Sequence, residues 1–145
     1  MFVTANQLLA HAVGDYVLQS DWMAQEKTKS GIVGISVALA HAFCYVLPFL
    51  FITTNSAAVL FMVFTHAAID HWRLARHVCW LKNFLSPPKR IGPWEGERQW
   101  RFPWSECQPT GYHKDKPAWL TVWLLIITDN IMHIALNALA IYLWP

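Results

Sequence analysis

His11 and Asp15 stand four residues apart, His66 and Asp70 repeat the spacing, and Asp129 and His133 give it in reverse. His41 stands alone in a further apolar run. Residues four apart share one face of an α-helix, so each pair aims an imidazole and a carboxylate at one point. Seven such groups exceed what one tetrahedral zinc takes. They suffice for one ion, or for two bridged by a carboxylate, as helical bundles arrange with ligands from facing helices. Mixed imidazole and carboxylate ligation suits zinc first, with manganese or iron as alternatives. A divalent ion so held generates hydroxide from water at neutral pH and polarises a phosphoryl or acyl oxygen. Two other readings use the same residues. A neutral His bonded to Asp is also a structural unit, and chains of intramembrane Asp and His serve proton or ion transport.

The elements that must position these groups are apolar. Of 145 residues, 55% are hydrophobic and 14% charged, where a soluble domain carries about a quarter charged residues. Apolar segments run over about 2–19, 32–52, 57–80 and 118–144, most of them near the length that spans a bilayer. Several of the nine Trp fall near segment ends, where membrane interfaces favour them. The expectation is an all-α polytopic membrane protein, one domain of four apolar helices, rather than a very apolar soluble bundle. Segment one is marginal in length and carries His11, Gly14 and Asp15. Ser20 or Asp21 caps a short interfacial helix over 22–29, and Pro48 predicts a kink in segment two. Further polar residues extend each stripe: Gln7 and Gln19 beside the first pair, Arg73 and His77 beside the second, Asn137 beside the third. An uncompensated charge in lipid costs several kcal/mol, which favours coordination or pairing.

Lys and Arg occur in the first connection (Lys27, Lys29) and crowd the third, residues 82–117. The positive-inside rule then places both connections in the cytoplasm and both termini outside. The third connection holds Lys89, Arg90, Arg98, Arg101, Lys114 and Lys116 among the aromatics Trp94, Trp100, Phe102, Trp104 and Tyr112. That aromatic content argues against plain disorder and points to a lid over a lipid-like substrate or a surface for a partner. Lys27 and Lys29 read as cytoplasmic anchors, His71 as exposed or interfacial, and His113 as solvated. Cys44, Cys79 and Cys107 form neither a C-x-x-C nor an even-numbered disulfide set. Cys44 and Cys79 read as packing residues. A net charge of +2 and the lack of a basic helix exclude a nucleic-acid binder. The N-terminus lacks the basic region and cleavage site of a signal peptide.

The stretch from Leu8 to Met23, LLAHAVGDYVLQSDWM, with Lys27 following, resembles the bacterial and phage membrane-protein family called domain of unknown function 3307. His41, the run Thr65–Asp70 and the run Asp129–His133 carry the same resemblance. It covers the four apolar segments and leaves out residues 82–117, which look like an insertion. The pattern is also distantly similar to inner-membrane proteins described as metal-dependent hydrolases. That likeness implies zinc-type hydrolysis of phosphoesters at a bacterial inner membrane.

The expectation is therefore a multi-pass membrane hydrolase acting on a phosphoester or lipid-linked substrate. Its metal ligands are His11, Asp15, His41, His66, Asp70, Asp129 and His133, holding one or two divalent ions. Asp15 and Asp70 are the catalytic carboxylates, since the ligand set lacks a Glu, and Arg73 meets the substrate phosphate. One alternative is a proton- or ion-coupled transporter or channel using the same His and Asp groups. Another is a phage-type membrane interaction protein with a structural metal, which meets a host protein, or a second copy of itself, through residues 82–117.

Overall fold

The computed structural model describes residues 3–86, 89–90, 98–99 and 102–145. The expectations placed on Trp94, Trp100 and Arg101 lie outside the described residues. The described residues are helical apart from turns, an isolated bridge between Cys107 and His113, and one two-residue antiparallel ladder, β1 (Lys89–Arg90) with β2 (Arg98–Gln99). Two compact units are present, Met1–Leu74 with Asp129–Pro145, and Ala75–Thr128.

In the first unit, helix α1 (Ala5–Ala12) starts at a capping box in which Thr4 Oγ1 accepts from the Gln7 amide and Gln7 Oε1 from the Thr4 amide. It widens into a π-helical turn at Val13–Val17. Gly14 lies in that turn because a Cβ there would sit 2.6 Å from Tyr45 Cδ2 and 2.7 Å from the Tyr45 carbonyl oxygen. Helix α2 (Asp21–Glu26) is the expected short helix, with Ser20 as its cap. Helix α3 (Ile32–Val46) tightens into a 3-10 turn at Leu47–Phe51, with Pro48 in the first positions of that turn. Pro48 thus changes the helix type where a simple kink was expected, because its missing N–H cannot continue the α ladder. Asn55 caps helix α4 (Ser56–His71).

The helix expected over 57–80 is broken. Arg73 adopts a positive φ of 51°, and the amides of Trp72 and Arg73 turn back onto the Asp70 carbonyl. Helix α5 (Leu74–Phe84) begins afresh. No Gly or Pro marks this break in the sequence. Helix α6 (Ala118–Leu143) is continuous. Among the described residues, two stretches are long and apolar enough to cross a membrane, Ile32–Phe51 with 20 residues and Ala118–Leu143 with 26. The break leaves α4 with 16 residues, short of the roughly 20 needed.

Ala38, Ala42, Tyr45, Val46 and Phe49 pack against Ala58, Met62, Val63 and Ala67, with Ala10 and Ala140 closing the cluster. Small residues on facing helices bring backbones close, as membrane bundles require. Polar side chains are buried beside this apolar core, and large apolar ones are exposed outside it. His41, His66 and His133 are no more than 2% exposed, whereas Ile32 is 76% and Phe51 94% exposed.

The second unit contains α5, the ladder, a 3-10 turn at Trp104–Glu106 and the start of α6. Its described part is packed. Gln108 Nε2 donates to the carbonyls of His113 and Lys116, at 3.1 and 2.6 Å, and Gln108 Oε1 accepts from Thr121 Oγ1 at 3.0 Å. Gly111, at φ 80°, is required because a Cβ there would strike the Arg76 carbonyl oxygen. Tyr112 is buried beneath the Lys82 ammonium, and Trp104 stacks on His77. His113 was expected to be solvated. It is half-buried between Glu106 and Asp115, because the Cys107–His113 bridge draws the chain back on itself.

Candidate metal centre

α1 and its π turn, α3, α4 and the C-terminal half of α6 each send His or Asp into the core of the first unit. His41 Nε2 from α3 and His66 Nε2 from α4 face each other at 3.0 Å. Asp15 Oδ1 lies 3.4 Å from both nitrogens. Asp70 Oδ2 lies 3.4 Å from His41 Nε2 and 3.1 Å from His66 Nε2. Asp70 Oδ1 is 3.6 Å from His133 Nε2, which is also 3.3 Å from Asp129 Oδ2. His11 Nδ1 is 3.5 Å from Asp15 Oδ2. The fold therefore brings all seven sequence-predicted side chains into one connected cluster.

They are not equivalent within it. Among the described residues, two groups have the size of a metal site, Asp15–His41–His66 and His66–Asp70–His133. His11 is committed elsewhere. Its Nε2 donates to Asn130 Oδ1 at 2.7 Å, and its Nδ1 accepts from Tyr45 Oη at 2.9 Å. Asn137 Nδ2 donates in turn to Tyr45 Oη, and Asn130 bonds Tyr16 Oη. His11 is thus a support for the centre, and Asp129, whose side chain is 32% exposed, is an outer partner of His133.

The donor set fits a divalent cation. Bonds of 2.0–2.2 Å to a tetrahedral ion set its ligand atoms about 3.3 Å apart. The triangle of His41 Nε2, His66 Nε2 and Asp15 Oδ1 has edges of 3.0, 3.4 and 3.4 Å. Among the described residues, His133 Nε2 is buried without a hydrogen-bond partner, although two carboxylates stand 3.3 and 3.6 Å from it. The Nδ1 atoms of His41 and His66 also lack a partner among the described residues, a departure from ligating imidazoles, which generally donate that proton outward. Three carboxylates (Asp15, Asp70, Asp129) and one ammonium (Lys27) meet in this cluster.

Several contributors were not legible as such. Lys27, read as an anchor, places Nζ 2.7 Å from Asp70 Oδ2 and 2.6 Å from Gln19 Oε1. His71, read as exposed or interfacial, is half-buried and donates from Nδ1 to the Lys27 carbonyl at 2.9 Å. Tyr45, fully buried, stacks on His66 with ring centroids 3.7 Å apart. Arg73 makes no ion pair among the described residues, since Lys27 takes Asp70. The i+4 spacing that revealed the His and Asp pairs gives no signal for these residues. Their partners are distant in sequence, 43 positions for Lys27 and Asp70.

The model of the family described as protein of unknown function DUF3307 matches residues 3–144. The chain belongs to this family. The match encloses residues 82–117 along with the apolar segments. No curated protein and no solved structure matches the chain.

Proposed function

We propose that this DUF3307 protein is a membrane-embedded, divalent-metal-dependent hydrolase acting on a phosphoester or lipid-linked substrate. The observation that carries this reading is the His41–His66 nitrogen pair at 3.0 Å, bracketed by the Asp15 and Asp70 carboxylates in a buried core. Asp15, His41 and His66 hold the ion, and zinc suits that donor set best. Such an ion, when bound, activates water and polarises a phosphoryl or acyl oxygen. Asp70 lies within reach of a proton released beside His66 and accepts it, while Lys27 orients its carboxylate. Arg73, three positions past Asp70 and unpaired, meets the substrate phosphate.

The chain lies in a bacterial inner membrane as a multi-pass protein, with both termini outside and the basic connections in the cytoplasm. The support is the exposed apolar side chains outside the buried His and Asp groups, the two long apolar helices among the described residues and the distribution of Lys and Arg.

A second reading, proton or ion transport, is favoured by one feature. Asp129, His133, Asp70, His66, His41 and Asp15 form an unbroken series of titratable groups with steps of 3.0–3.6 Å. Elemental analysis of detergent-purified protein separates the two. The hydrolase reading expects a stoichiometric divalent metal that is lost in His66→Ala, and metal-dependent release of phosphate from a phosphoester that is lost in Asp15→Asn. Metal-free protein that acidifies liposomes would replace it with the transport reading.

A further inference from the structure

Two metal-sized groups share His66, and the structure treats their carboxylates differently. Asp15 meets only imidazole nitrogens among the described residues. Asp70 already meets a cation, because Lys27 Nζ lies 2.7 Å from Oδ2.

That ammonium is delivered by the local fold. Lys27 follows α2, a helix with no buried residue, yet its side chain is only 12% exposed. Lys29, two positions on, pairs with Glu26 and stays 62% exposed. Lys27 is turned inward by two further contacts: His71 Nδ1 donates to its carbonyl, and Gln19 Oε1 accepts from its ammonium. Beside this ion pair, His133 Nε2 is buried without a hydrogen-bond partner among the described residues and 3.6 Å from the other Asp70 oxygen. The donors of a second site are therefore assembled, and its cationic position is taken by the protein itself.

We propose that the centre takes one divalent cation, at Asp15, His41 and His66, and that the Lys27 ammonium replaces a second cation at Asp70. This inference rests on the metal reading above. Zinc content and zinc titration are measured on the intact chain in detergent, for the wild type, Lys27→Met and Lys27→Arg. The expected ratios are about one zinc per chain in the wild type and in Lys27→Arg, and about two in Lys27→Met. Two ions in the wild type, or one in Lys27→Met, would overturn the inference and leave the metal reading standing. No zinc in any of the three would overturn both.

Should Lys27→Met fail to fold, the same question is put without touching Lys27. His133→Ala is expected to keep its single zinc, and His41→Ala to lose it. Loss of zinc in His133→Ala would place the ion at the Asp70 side and end the proposal.

Discussion

Tyr45 shows how the residues around the centre depend on one another. Its ring stacks on His66, and its hydroxyl donates to His11 Nδ1 while accepting from Asn137 Nδ2. Removing that oxygen leaves a buried ring nitrogen and a buried amide without this partner. Each unsatisfied group costs about 1–3 kcal/mol. Tyr45→Phe should therefore lower stability by roughly that amount or more, seen as a lower unfolding midpoint in detergent, while metal content is retained because Tyr45 is not a ligand. Loss of metal with an unchanged midpoint would place the tyrosine in the coordination shell. The different legibility of these residues has a physical basis. Asp and His are conspicuous in an apolar run because lipid penalises them, so their spacing can be read. A tyrosine in the same run reads as packing, and Lys27 in a short polar helix reads as an anchor. Only tertiary contact reveals what either does.

At the scale of elements, the helix starts were legible and the irregularities were not. Ser20 announces the start of α2 through its side-chain cap, and Pro48 marks the change in α3. The break at Trp72–Arg73 carries no such residue, and the π turn at Val13–Val17 has only Gly14 to mark it. Both irregularities lie beside the centre, at Asp70 and Asp15. An added residue in a helical turn, as in a π bulge, recurs at functional sites because it redirects a side chain. Gly14 allows this turn to lie against α3, since a Cβ there would meet the Tyr45 carbonyl oxygen as well as its ring. A backbone oxygen cannot move aside by changing rotamer. Gly14→Ala should thus destabilise the protein by about 1–3 kcal/mol, the range for overpacking, and weaken zinc binding through the adjacent Asp15. Circular dichroism melts and zinc titration measure the two effects. An unchanged midpoint would show that the helices separate without cost.

At the scale of the whole molecule, large apolar side chains stand exposed while polar ones are buried. Trp119, Trp123, Ile127 and Ile131, spaced by four along one face of α6, are each more than half exposed, whereas Thr121, Thr128, His133 and Asn137 are buried. In water, that arrangement would expose an apolar stripe and hide the polar one. In a bilayer it places each where it is most stable. The proposed membrane topology puts the basic connection in the cytoplasm, and Cys107 provides a native reporter for it. This thiol lies in that connection, half-buried, whereas Cys79 is fully buried. Burial first, and the Glu106 carboxylate second, raise the Cys107 pKa above the ordinary thiol value. The thiolate is the reactive form, so labelling is slow at neutral pH and quickens as the pH rises toward the raised value. In Cys44→Ala protein, a membrane-impermeant maleimide should modify Cys107 in inside-out vesicles, faster at alkaline than at neutral pH, and should leave it untouched in intact spheroplasts. Labelling from the outside alone would invert the topology. It would also remove the cytoplasmic leaflet as the side from which a phosphorylated substrate reaches the centre.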